Sequence, residues 1–196
     1  MTTEKAVSES RFTENFTSES NKSDCSVFLK SSDGVIESLP YDAAITSELV
    51  KMSIECDDEI NCDLGNPIEL PNVDSSCLKK IVEFLIHYNM ETMTPIQTPF
   101  EENNSKKGLQ DVLEENVPQV WYRNFVNEAE ESMIFKLGQA SNYMEIPPLL
   151  DLTFLFISIG LMGKSAEEIR VILNIPKMTS EEEATARLEH RWIFED

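Results

Sequence analysis

Between the paired prolines Pro147-Pro148 and Gly163, the stretch Leu149 to Met162 is apolar nearly all round, with Phe154, Leu155, Phe156 and Ile157 in succession. The prolines suit the start of a helix, because proline at the first helical position forfeits no hydrogen bond. A helix with one apolar stripe can be satisfied by its own domain, whereas one that is apolar on every side needs cover on two. The domain's own core can supply one cover, and the other implies a second polypeptide. The stretch is broken by Asp151 and is shorter than the roughly 20 residues that span a bilayer as a helix, so a buried helix is expected rather than a membrane span.

Charge narrows the choice of partner. Lys and Arg total 16 against 36 Asp and Glu, a formal net charge of -20. Such a chain is repelled by nucleic-acid phosphates and anionic lipid, so neither nucleic acid nor membrane is expected and proteins are the natural partners. With 196 residues, 41% of them hydrophobic, one main domain with appendages is expected. Met1 to about Ser23 holds only Val7, Phe12 and Phe16 as large apolar residues and has no signal-peptide core, so it reads as a flexible tail without an export signal. Cys25, Cys56, Cys62 and Cys77 form no C-x-x-C pair, and only His87 and His190 could add imidazole. Reduced thiols, no metal and no cofactor are expected, in a cytoplasmic and nuclear protein.

Alternation at Val27 and Leu29, the turn residues Ser32-Asp33-Gly34 and a short run at Val35 and Ile36 predict an opening hairpin. Ile45, Leu49 and Met52 predict a helical stripe from near Tyr41 to Glu55. The acidic stretch Cys56 to Asn66 reads as a surface loop, and Ile68-Glu69-Leu70, fenced by Pro67 and Pro71, as an edge strand. Asp74 or Ser75 caps a helix whose buried face is Leu78, Ile81, Val82 and Leu85. From about 89 to 116 the pattern collapses into an insertion expected to be disordered. Helical spacing returns at Trp121 and Phe125, then at Met133, Leu137, Ala140 and Met144. Ser165 with Glu168, and Thr179 within a run of glutamates, have the spacing that caps two more helices. On the last of them Ala184, Leu188 and Trp192 recur every four residues.

No motif places two carboxylates across a pocket, neither histidine sits in nucleophile-elbow or zinc-protease spacing, and no phosphate loop is present. No catalytic residue is therefore assigned, and a small carboxylate-dependent hydrolase is a remote alternative. Trp192, with Ile193 and Phe194 beside it, has little chain left to cover it. It either plugs the domain's own core or anchors in a partner groove, and the second reading is favoured. Ile157 and Leu161 pose the same choice, and Asn142 and Tyr143 could simply be a helix-ending Asn and a half-buried Tyr.

Several strings occur in order: Leu29-Lys30-Ser31-Ser32-Asp33-Gly34, Ile68-Glu69-Leu70-Pro71-Asn72-Val73, Ala140-Ser141-Asn142-Tyr143-Met144-Glu145-Ile146, Leu149-Leu150-Asp151-Leu152-Thr153, Gly163-Lys164-Ser165-Ala166-Glu167-Glu168-Ile169-Arg170, and the acidic helix ending in Trp192. From about Ser26 to the C-terminus the chain closely resembles the Skp family, the adaptors of cullin and F-box ubiquitin ligases. The resemblance implies an α+β fold of BTB/POZ type over residues 24–146 and F-box-binding helices over 147–196. It implies no reaction, and a place in a hetero-oligomeric complex with a cullin and F-box proteins. Carried over by motif, Asn142 and Tyr143 face the cullin, while Leu150, Ile157, Leu161, Ile169, Leu173 and Trp192 grip the F-box. An elongin-C-like adaptor is the nearer alternative, but such proteins resemble only the BTB portion and lack the helices after Gly163.

Overall fold

Alternation builds the first strand, β1 (Ser26–Ser31), which buries Val27, Leu29 and Ser31 and turns the intervening residues outward. Gly34, at φ +86°, makes the turn, and the Val35 amide donates to the Ser31 hydroxyl at 3.0 Å. The chain returns as β2 (Ile36–Pro40), antiparallel to β1, with Val27 opposite Leu39 and Leu29 opposite Glu37. The structure is a computed structural model that describes residues 25–56, 66–96 and 109–193. The expected tail, the acidic loop between 57 and 65 and the insertion between 97 and 108 lie outside the described residues.

Two short helices follow, α1 (Tyr41–Ala44) and α2 (Glu48–Cys56). The single stripe expected through Ile45, Leu49 and Met52 is therefore divided, and its buried positions are Ala43, Ala44, Val50 and Ile54, with Met52 exposed. Ser47 makes the division: its hydroxyl accepts from the Val50 amide at 3.3 Å, so a new helix starts there with its own phase. After the loop, β3 (Ile68–Leu70) pairs with β1 in parallel, Leu29 opposite Ile68, giving the sheet order β2-β1-β3. The proline-fenced strand lies at the sheet edge, as expected.

The helix α3 (Ser75–Met90) carries the expected face of Leu78, Ile81, Val82 and Leu85, and adds Cys77 and Phe84 to the buried set. Its cap is Asp74, whose carboxylate accepts from the Cys77 amide at 2.8 Å, from the Ser76 hydroxyl at 2.6 Å and from Lys136 Nζ at 2.8 Å. Asp33, on the hairpin turn, accepts from the Ser75 amide at 3.0 Å and the Ser75 hydroxyl at 2.5 Å. One carboxylate thus ties the hairpin to the helix, and the other ties the helix to Lys136.

The expected disordered insertion is corrected at its C-terminal end, where α4 (Leu109–Asn116) is an ordered helix. Val112 and Leu113 are buried there, with Val117 just beyond. Leu109, Val112, Leu113 and Val117 stand at helical spacing, a short pattern hidden by the prolines and polar run before it. Then come α5 (Val120–Asn127), α6 (Glu131–Tyr143), α7 (Pro147–Leu161), α8 (Ala166–Ile172) and α9 (Ser180–Glu189). Among the described residues the fold is α+β, and no helix is long and apolar enough to cross a membrane. The chain forms two compact units, Met1–Met93 with Glu131–Leu150, and Thr94–Glu130 with Asp151–Asp196. Cys56 and Cys77 are free thiols, but Cys25 is disulfide-bonded, which corrects the expectation of four reduced cysteines. Spacing along the chain excludes a chelating pair and says nothing of pairing through space.

The hydrogen bond from Lys136, followed by those from Ser76 and the Cys77 amide, holds the Asp74 carboxyl well below its ordinary range. A depressed carboxyl stabilises the fold at pH values above its unfolded pKa, near 4, and that contribution is lost as pH falls through the folded value. Asp74→Ala should lower the unfolding free energy at neutral pH by about 1 kcal/mol, the usual cost of a lost cap. Urea denaturation across pH should show the difference from the natural chain narrowing below about pH 4.

Candidate interaction surfaces

The end of α6 is shaped by a left-handed residue. Glu145 has φ +52°, the Ile146 amide donates to the Ser141 carbonyl at 2.9 Å, and the Glu145 amide donates to the Asn142 carbonyl at 3.3 Å. This 6→1 and 5→2 pairing closes the helix and satisfies carbonyls that would otherwise be unpaired. The next carbonyls turn to α2: Glu48 N donates to Glu145 O at 3.1 Å and Leu49 N to Met144 O at 3.4 Å. The Ser47 hydroxyl donates to Met144 O at 2.5 Å from a fully buried position. The unpaired amides at one helix start thus meet the unpaired carbonyls at another helix end, with the two dipoles in favourable register. Asn142 is left exposed and Tyr143 half-buried on the last turn of α6.

In α7 the covered positions include Leu152, Thr153, Leu155 and Ile159. Leu150, Ile157 and Leu161 are half-buried, and helical spacing sets them opposite Leu152, Leu155 and Ile159. Phe154 is 52% exposed. Gly163, at φ +73°, ends the helix in a conformation that costs glycine little.

Beyond it, both expected caps are present. The Ser165 amide donates to Glu168 Oε2 at 2.8 Å while the Glu168 amide donates to the Ser165 hydroxyl at 3.4 Å. The same reciprocal pair joins Thr179 and Glu182, at 2.8 and 3.3 Å. The Ser165 hydroxyl and amide lower the Glu168 pKa, and the Thr179 amide and hydroxyl lower that of Glu182, so both caps stay ionised at neutral pH. Asn174, at φ +50°, closes α8, with the Ile175 amide donating to the Arg170 carbonyl at 2.9 Å.

What these helices lack is burial. Neither α8 nor α9 contains a buried residue. Ile169 and Leu173 are half-buried, while Val171, Ile175, Met178 and Leu188 are exposed. Trp192 is 75% exposed, so it does not plug the chain's own core. It lies in a 3-10 turn, Arg191–Ile193, after α9 has ended at Glu189, rather than on the helix itself. Among the described residues, no group of three or more His, Cys, Asp or Glu side chains could hold a metal ion.

Comparison with known proteins finds two family matches along the chain. Residues 25–90 match the Skp1 family, tetramerisation domain, and residues 147–193 the Skp1 family, dimerisation domain. The E3 ubiquitin ligase complex SCF subunit sconC of Arthroderma benhamiae is 34% identical over 170 residues, covering 86% of this chain and 95% of that protein. Those of Talaromyces stipitatus and Arthroderma otae are each 33% identical, covering 85% of this chain and 95% and 93% of theirs. The chain belongs to the Skp1 family. Its sheet and first helices are the family's POZ portion, and α7 to α9 fall within the second match.

Of the residues sequence reasoning singled out, six lie in or beyond α7 with at least part of an apolar side chain open, and two lie at the end of α6. Ser47 was missed. Its signal was a serine three residues before Val50, at the point where the apolar phase changes, but a hydroxyl's partner 97 residues away leaves no local trace. Ser47→Ala removes one of the two donors to the Met144 carbonyl and the acceptor of the Val50 amide, and should cost about 1–2 kcal/mol in urea denaturation, more than a surface serine would.

Proposed function

We propose that this chain is the adaptor subunit of an SCF-type cullin-RING ubiquitin ligase, joining a cullin scaffold to F-box substrate receptors without performing a reaction itself. Its contribution is geometric: holding the receptor at a fixed place near the ubiquitin-charged enzyme raises the effective concentration of substrate. The observation that carries this reading is the arm formed by α8, α9 and the turn at Trp192. It buries none of its helical residues yet holds Ile175, Leu188 and Trp192 open to water. Several exposed large apolar side chains on one short segment support a binding role for it.

Leu150, Ile157, Leu161, Ile169, Leu173 and Trp192 are assigned to the F-box. The assignment follows the family motifs and is supported by the incomplete burial of all six. Asn142 and Tyr143 are assigned to the cullin, supported by their place on a helix end held rigid by α2. The elongin-C-like alternative is disfavoured by the family match over 147–193, the segment such adaptors lack.

Calorimetry with a purified F-box domain and a cullin N-terminal domain tests the reading. Trp192→Ala should weaken F-box binding by about 2 kcal/mol, roughly 30-fold, with the melting temperature unchanged because so little of the indole is covered. A chain ending at Gly163 should retain the cullin and lose the F-box. Unaltered F-box affinity in both would refute the grip. In the reverse experiment, Asn142→Lys together with Tyr143→Lys should weaken the cullin contact at least about tenfold and spare the F-box. Loss of both contacts together would count against separate surfaces.

A further inference from the structure

At about 100° per residue, Phe154, Ile157 and Leu161 fall within an arc of about 60° on α7, and Leu152, Leu155 and Ile159 gather on the opposite side. The three on the opposite side are buried. Within the open arc, Ile157 and Leu161 are half-buried, whereas Phe154 is 52% exposed. A phenyl ring more exposed than its two aliphatic neighbours offers a knob, and a knob needs a hole in whatever packs on it. Its faces and edge carry no hydrogen-bonding atom, so the hole must be apolar. Asp151 and Ser158, both exposed, border the arc on one side and give the occupant a polar flank there.

We propose that Phe154 is a specificity-determining residue of the receptor-binding surface. It selects receptors whose docking helix presents a small residue, Gly, Ala or Ser, where the ring enters. The inference rests on the adaptor reading and goes beyond it, because it states which receptors fit. A ring of this kind buries about 150–250 Å² when covered, enough to anchor a contact. A large side chain opposite it would overpack the interface and force the two helices apart. Continuity with Ile157 and Leu161 makes the receptor, rather than the cullin, the occupant.

The test uses the full chain and a purified F-box domain whose binding Trp192→Ala weakens. Phe154 replaced by the photoreactive analogue p-benzoylphenylalanine should crosslink to that domain, and mass spectrometry of the joined peptides names the facing residue, expected to be small. Phe154→Ala should weaken binding about tenfold or more at an unchanged melting temperature. Enlarging the facing residue to Leu should abolish binding to the natural chain, and Phe154→Ala should restore it. Full affinity in Phe154→Ala, a crosslink to the cullin, a bulky facing residue or failure of the rescue overturns the role of Phe154 while Trp192 dependence still stands. If no F-box domain binds in a Trp192-dependent way, the adaptor reading and this inference fall together.

Discussion

A helix that is apolar on two opposed sides cannot be satisfied by one core. In α7 the side bearing Leu152, Leu155 and Ile159 is covered by the chain itself, and the side bearing Ile157 and Leu161 is covered only in part. Each square ångström of apolar surface left in water forgoes about 25 cal/mol of stabilisation, so this open side is a standing gain for any polypeptide that fits it. The same asymmetry extends into α8 and α9, which contribute nothing to a core. Helices of 7 and 10 residues are marginal in water when packing does not support them. Here the reciprocal caps at Ser165 with Glu168 and Thr179 with Glu182 take over part of that work locally, keeping the apolar side chains in helical register without hiding them.

The first unit solves a different problem by a different device. Asn142 and Tyr143 sit on the final turn of a helix, where fraying is usual. Fraying is opposed by the left-handed Glu145 and by α2, whose first amides take the carbonyls of Met144 and Glu145. Holding a non-glycine residue at positive φ costs about 1 kcal/mol, and that cost is offset by several backbone hydrogen bonds that no straight continuation would form. The result is a rigid platform in which the side chains rather than the backbone are left free to meet a partner.

How much of this was legible in the sequence follows the range of the forces involved. The hairpin turn at Gly34, the α3 stripe and its Asp74 cap, the proline start of α7 and both capping boxes depend on residues a few positions apart, and all could be read locally. For Ile157, Leu161 and Trp192 the sequence left a choice between core and partner, and the structure leaves the first two half-buried and the third exposed. The division between α1 and α2 was not, since the Ser47 hydroxyl is committed to Met144 from far along the chain. The helix through Val112 and Leu113 had a signal in the helical spacing of Leu109, Val112, Leu113 and Val117 that the surrounding polar run obscured, whereas the parallel pairing of β1 with β3 left no local trace. Phe154 was visible in the run of aromatics, but hydrophobicity alone does not say which of Phe154, Leu155 and Phe156 faces water.

The charge pattern along the arm bears on which surfaces fit it. Glu167, Glu168, Glu181, Glu182 and Glu183 occupy the first turns of α8 and α9, where helix dipoles and caps favour them. They border the same segments that expose Val171, Ile175 and Leu188. Within a molecule of net charge -20, these carboxylates disfavour an acidic surface laid against the arm. A partner with a neutral or basic rim meets no such opposition. Discrimination of this kind needs no special contact with the right partner, only repulsion from the wrong one. The acids that start the helices therefore serve twice, capping the helices and disfavouring acidic surfaces against them.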